Sequence, residues 1–216
     1  MRKVIVSMMV SLDGFFAGPK GEIDWHIVDE EFNRYAVDLL NTVDTILFGR
    51  VTYQLFESYW PAAALSPSTS KSDLEISHKI NNMTKIVFSK TLEKVEWKNA
   101  RLVKEVIPDE IVKIKKQPGK DMVIFGSGSI VSTFAQLGLV DEYRIIVNPV
   151  VLGSGKPLFK DIRGRINLKL LKTKTFSSGN VLLVYQPVKK NNLRECPLEY
   201  SRKVDFLESV VIHDFI

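Results

Sequence analysis

The chain has 216 residues and a mass of 24.5 kDa, is 45% hydrophobic and 25% charged, and has a mean hydropathy of +0.01. This is one large domain, or one domain with an appendage, long enough to bury a core without disulfides or metal staples and too apolar to be disordered. Thirty basic against 25 acidic residues give a net charge of +5, and no apolar run approaches the roughly 20 residues that cross a bilayer.

The charge is uneven. Residues 1–60 hold nine acids against five bases, whereas 160–174 hold six bases (Lys160, Arg163, Arg165, Lys169, Lys172, Lys174) and one acid, Asp161. These bases are not interleaved with stacking aromatics, so the segment reads as a solvated basic hairpin rather than a nucleic-acid face. Cys196 is the single cysteine and cannot form an internal disulfide. His26, His78 and His213 lie too far apart for the short spacings of metal ligand pairs, so no metal is expected. The opening MRKVIVSMMVSLDG is interrupted by Asp13 and diluted by Ser7 and Ser11. It reads as a first strand rather than a leader, with a cytoplasmic setting as the default.

In chain order, the β-branched run 3–10 predicts a strand buried on both faces. Residues 11–21, with three glycines and a proline, predict a loop. Asp29 offers an N-cap to a helix whose apolar positions Phe32, Tyr35, Ala36, Leu39 and Leu40 recur at helical spacing through about Asn41. A strand over 44–49 stops at Gly49, a short helix follows over 51–59, and the Pro, Ser and Ala of 61–73 predict a surface connection. Then come a helix near 73–82, a strand over 84–89, a strand over 100–104, a short helix near 109–116 and a strand over 121–125. After Gly126-Ser127-Gly128 a helix runs to about Leu137, closed by Gly138, and 142–148 is a strand. Two late strands, near 167–176 and 181–186, flank the turn Ser177-Ser178-Gly179-Asn180. Strands alternating with helices predict a mostly parallel α/β sheet, the final hairpin adding antiparallel strands at an edge. Residues 189–216 form a C-terminal extension in which Leu198, Phe206, Leu207, Val210 and Val211 fit a short amphipathic helix.

Four strand-end loops carry candidate chemistry, since ligands of open α/β sheets bind outside the carboxyl ends of the strands. Gly126-Ser127-Gly128-Ser129-Ile130 joins a strand to a helix with residues small enough for backbone N–H groups to meet a phosphate, or merely to make a tight turn. Val131 stands where a dinucleotide fingerprint of the Rossmann type wants Gly or Ala. Gly49-Arg50-Val51-Thr52-Tyr53 offers a guanidinium and a hydroxyl at a second helix start. Ser89-Lys90-Thr91 groups two hydroxyls and an ammonium at a third strand end. The stretch from Asp13 through Trp25 to Asp29, Glu30 and Glu31 offers carboxylates beside an indole, either as proton donors or as plain helix-capping acids.

Taken together in order, MVSLDGFFA (9–17), the acids around Trp25, LFGRVTY (47–53), VFSKTL (87–92), VIFGSGSIVSTFAQLGLVDEYRI (123–145) and VNPVVLGSGKPLF (147–159) resemble the dihydrofolate reductase fold, in its riboflavin-biosynthesis reductase branch, the RibD C-terminal-domain-like family. The resemblance implies a three-layer α/β sandwich over residues 1–188, with a mostly parallel central sheet and an antiparallel C-terminal hairpin. It also implies an NADPH-dependent oxidoreductase, often a homodimer, acting on a small molecule, with neither nucleic acid nor membrane as partner.

By the same resemblance, Gly49, Arg50 and Thr52 meet the NADPH phosphates and Ser89 and Lys90 the adenosine 2′-phosphate. Gly126, Ser127, Gly128, Ser129 and Ile130 wrap the pyrophosphate or nicotinamide end. Asp13, Trp25 and Tyr53 face the substrate, and Asp29 or Glu30 supplies a proton. The zinc-binding deaminase domain that usually accompanies this reductase has no counterpart in these motifs, so a stand-alone reductase domain is expected. Its substrate would be pyrimidine- or pterin-like, most like 5-amino-6-(5-phosphoribosylamino)uracil. Folate reduction proper, and nucleotide binding without turnover, are the rival readings.

Overall fold

The structure, a computed structural model, describes residues 1–188. The predicted extension 189–216, with its amphipathic segment and Cys196, lies outside the described residues. Ten strands and five helices follow in the order β1 (Val4–Val10), β2 (Phe15–Ala17), α1 (Glu30–Thr42), β3 (Val43–Gly49), α2 (Arg50–Ala63), α3 (Lys71–Asn82), β4 (Thr84–Phe88), β5 (Ala100–Val103), α4 (Pro108–Lys116), β6 (Asp121–Ile124), α5 (Gly128–Gln136), β7 (Glu142–Val147), β8 (Lys156–Pro157), β9 (Leu168–Thr175) and β10 (Val181–Pro187). Eight strands make one sheet, ordered β5-β4-β3-β6-β1-β7-β10-β9, and β2 pairs with β8 in a small ribbon. The pairs from β5 to β7 are all parallel. β10 runs antiparallel to β7 and β9 antiparallel to β10, as the predicted edge hairpin requires.

Alternation along the strands builds the layers. Val4, Val6, Met8 and Val10 of β1 join Met122, Ile124, Val131 and Phe134 on the face covered by α4 and α5. Ile5 turns the other way, to Leu39, Leu40, Ile46, Phe48 and Ile76 beneath α1, α2 and α3. Both faces are buried, which is why the strands read as continuous apolar runs. Among the described residues no helix is long and apolar enough to cross a membrane.

Two sequence expectations need correction. The 11–21 segment is not all loop, since Phe15–Ala17 pairs with Lys156–Pro157. The helix predicted over 51–59 runs on to Ala63 despite Pro61, whose ring removes a single helix hydrogen bond. Ala63 is buried and the Ala64 N–H still reaches the Trp60 carbonyl at 3.2 Å, so packing carries the helix into what looked like a linker.

Polar staples lock the elements. Lys85 is fully buried, and its Nζ donates to the carbonyls of Asn81 (2.9 Å), Met83 (2.9 Å) and Lys98 (3.1 Å), 4.4 Å from the Trp97 ring centre. It closes the last turn of α3 onto the start of β5, although burial pushes its ammonium pKa down to about 8. Glu31, in the first turn of α1, accepts from the Ser177 N–H (2.9 Å) and hydroxyl (3.1 Å) and pairs with Lys174 (3.0 Å), tying α1 to the β9–β10 hairpin.

The Ser177 N–H, with help from Lys174, holds the Glu31 carboxyl near pKa 2, below its ordinary 4.5. A depressed folded-state pKa gives stability that is complete above about pH 4.5 and lost as pH falls toward 2. Glu31→Gln should therefore lower the melting temperature at pH 7, and the deficit should shrink through that acid window. An equal deficit at pH 7 and pH 2, measured by thermal denaturation, would contradict this.

Candidate active site

A cleft of about 1170 Å³ opens at the carboxyl ends of β1, β3 and β6. Its walls come from α1 (Phe32, Tyr35), α2 (Thr52, Phe56), the turn after β6 (Ser127, Gly128) and the β2–β8 ribbon (Phe16, Lys156). A second groove of about 1170 Å³ runs between α4 and the outer strands β4 and β5. There Arg2 pairs with Asp44 and Lys113 with Glu110.

The cleft is built on a close approach of two glycine turns. The Gly49 N–H donates to the Gly126 carbonyl at 3.1 Å. A Cβ on Gly49 would lie 3.2 Å from the Ser127 nitrogen, one on Gly126 would lie 2.7 Å from Thr52 Oγ1, and one on Gly128 would lie 2.5 Å from the Phe16 ring. Two helices therefore start side by side, α2 at Arg50 and α5 at Gly128. Their N-cap residues, Gly49 and Ser127, make no side-chain cap, whereas Asp29 caps α1 and Ser70 caps α3. Uncapped N–H groups at adjacent helix starts concentrate positive potential where an anion can sit.

Thr52, Ser127, Gly128 and Ser129 line this cleft, and Gly49 and Gly126 lie against them, next to Ser127 and Thr52. Arg50 heads α2 beside it, exposed, its Nη1 donating to Gln54 at 3.1 Å. Ser89 is buried at the end of β4, where its Oγ accepts from the N–H groups of Thr91 (3.2 Å) and Leu92 (3.0 Å), and leaves Lys90 exposed. Ile130 is not at the cleft: it is buried in the core beneath α5.

The residues expected to face substrate are placed differently. Asp29 accepts from the Phe32 N–H at 2.7 Å as N-cap of α1, and that bond holds its carboxyl below the usual range, ionised and unsuited to donating a proton. Glu30 pairs with Arg34 on the exposed side of the helix. Tyr53 is 1% exposed, donates to Glu57 and accepts from the Trp97 N–H, a core tyrosine whose pKa burial pushes up to about 12. Asp13 accepts from the Ser11 hydroxyl (2.6 Å) and the N–H groups of Leu152 (3.2 Å) and Gly153 (2.8 Å), so it fastens the 150–153 loop. Trp25 donates to the Glu22 carbonyl and packs edge-on against His26. None of these five lines the cleft.

His26, Tyr35, Phe16 and Lys156 do line it. Burial pushes the His26 pKa down, so the ring is neutral, and its Nε2 is buried without a partner. Tyr35 sat in the helical apolar pattern and read as core, and the two strands carrying Phe16 and Lys156 are too short to leave a sequence signal.

The model of the RibD C-terminal domain family matches residues 2–182. The chain belongs to that family. The uncharacterized protein YyaP of Bacillus subtilis (strain 168) is 44% identical to it over 184 residues, which cover 85% of this chain and 94% of that one. Among solved structures, a protein of Shewanella sp. PV-4 assigned to riboflavin biosynthesis superposes with a TM-score of 0.67 at 23% identity, over 87% of this chain and 99% of the other. Dihydrofolate reductase from Enterococcus faecalis, complexed with NADP(H), superposes with a TM-score of 0.55 at 15% identity, over 87% and 97%. The RibD C-terminal domain here thus has the dihydrofolate-reductase-like α/β fold.

In this domain Gly126 holds φ at +128°, where an L side chain is strained, with Thr52 Oγ1 against the missing Cβ. Gly126→Ala should cost about 1–3 kcal/mol in urea unfolding. An unchanged midpoint would show that the two turns are not tightly joined.

Proposed function

We propose that the protein is an NADPH-dependent reductase of a pyrimidine- or pterin-like substrate, most like the 5-amino-6-(5-phosphoribosylamino)uracil reductase of riboflavin biosynthesis. The observation that carries this reading is the pair of uncapped helix N-termini, α2 and α5, joined through Gly49 and Gly126 at the mouth of the cleft. The donor set suits a pyrophosphate: backbone N–H groups, the Thr52 and Ser127 hydroxyls, and the Arg50 guanidinium one residue into α2. The riboflavin-biosynthesis family and the fold shared with an NADP(H)-binding reductase support the same cofactor.

Bound there, NADPH would supply the hydride. The chain's own part is to hold and orient. Thr52 and Ser127 would fix the phosphates, and Lys90, exposed beside Ser89, would face the 2′-phosphate that separates NADPH from NADH. The apolar walls, Phe16 and Phe125 among them, would exclude water from the reacting rings. The proposal extends to a cytoplasmic setting and to a homodimer, the latter supported by Leu170 and Leu171, which stand about half exposed on edge strand β9.

Calorimetric titration with NADPH and NADH tests the reading. NADPH should bind more tightly, and Lys90→Ala should lose about 1–3 kcal/mol for NADPH while leaving NADH unchanged. Failure of both nucleotides to bind would overturn it.

A further inference from the structure

With Asp29 and Glu30 outside the cleft, the polar groups that meet a substrate must come from elsewhere. Among the described residues, five buried side-chain atoms have no hydrogen-bond partner: His26 Nε2, Tyr35 Oη, Ser132 Oγ, Ser178 Oγ and Asn180 Oδ1. The first three belong to residues that line the cleft. A buried polar atom without a partner is costly, so their convergence on one cleft marks where a ligand's own polar atoms belong.

Tyr35 has the most developed surroundings of the three. Its ring leans on Phe32 and Phe176, with centroids 6.1 and 6.0 Å away, which fixes it on the inner side of α1. Its hydroxyl reaches the sheet between Ser7 of β1 and Arg144 of β7, which are register partners, and both bear on its ionisation without satisfying it. Arg144 is held from behind, its Nε donating to Glu142 at 2.6 Å, and Glu142 in turn meets Lys3 at 3.4 Å. Ser7, Met9, Tyr35 and Ile146 form the cleft floor at this point. The acids that line the cleft are Asp73, at the start of α3, and Asp161, beyond β8, so neither belongs to the elements of the floor.

A hydroxyl backed by a fixed guanidinium is suited to donate. The cation beside the oxygen favours an incoming acceptor and repels a protonated amidine, for which a carboxylate would be the natural partner. We infer that Tyr35, held by the Arg144–Glu142 pair, is the specificity-determining hydrogen-bond donor of this cleft and reads a carbonyl edge of the substrate ring. The inference takes the substrate's location from the reductase reading above. Tyr35 is a binding residue here, and no proton transfer is assigned to it.

The test is a titration with 5,6-diaminouracil, whose ring edge carries carbonyls, and 2,4,6-triaminopyrimidine, whose edge carries amino groups. Each is followed by ligand-observed NMR on wild type and on Tyr35→Phe, with and without NADPH. Diaminouracil should bind at least about tenfold more tightly than triaminopyrimidine to wild type. Tyr35→Phe should lose about tenfold for diaminouracil and erase the preference, while its far-UV circular dichroism and NADPH affinity stay as in wild type. Equal or tighter binding of triaminopyrimidine, no binding of either pyrimidine, or an unaltered preference in Tyr35→Phe would each overturn the inference. If NADPH fails to bind both proteins, the reductase reading falls, and the nucleotide-free titrations still decide the role of Tyr35.

Discussion

The contact between Gly49 and Gly126 is the constraint on which the rest of the site depends. It joins the ends of two strands that are neighbours in the sheet, β3 and β6, through a backbone hydrogen bond of 3.1 Å that leaves no room for side chains. Because the strands are parallel, both of their following helices must begin at the same edge. Gly49 has no side chain to cap α2, and the Ser127 hydroxyl pairs with Ser129 Oγ (3.0 Å) instead of capping α5, so those helices begin uncapped and close together. The concentration of N–H groups is thus a product of sheet topology, and the phosphate chemistry follows from it.

At the opposite, amino-terminal edge of the sheet and in the loops beside the cleft, charge serves structure. Lys85 gives all three of its hydrogen bonds to carbonyls, and Lys115 is 5% exposed and paired with Asp141. Asp13 and Asp29 use their carboxylates on backbone N–H groups. The two aspartate bonds fasten the 150–153 loop and the start of α1 and remove those carboxylates from catalysis. Among the described residues, the buried cleft atoms left without a partner are those of an imidazole and two hydroxyls.

Much of the fold was legible in the sequence, because strands buried on both faces leave continuous apolar runs, as in VIVSMMV, and because glycine ends them at Gly49 and Gly126. The cleft-facing part of the 126–129 turn was legible for the same reason. The misplacements have particular causes. Tyr53 is adjacent to Thr52 in sequence, but the face of α2 toward the cleft runs through Val51, Thr52, Leu55, Phe56 and Tyr59, and one further residue of helical rotation turns Tyr53 into the core. Asp29 and Glu30 carry the right chemistry, but a helix start uses acids for capping and dipole compensation as readily as for catalysis. Tyr35 could not be told from its apolar neighbours by periodicity, since its ring is packed in the apolar layer and its hydroxyl alone makes it different. The β2–β8 ribbon, three residues against two, is a long-range pairing with no local signal.

The central claim is that a dinucleotide sits across the two joined helix starts. Titrating NADPH into ¹⁵N-labelled protein and mapping amide shifts tests this most directly. The account predicts that the largest changes fall on Gly49–Tyr53 and on Gly126–Ile130. Changes confined to the groove between α4 and β4–β5, around Arg101 and Lys113, or no changes at saturating nucleotide, would contradict it.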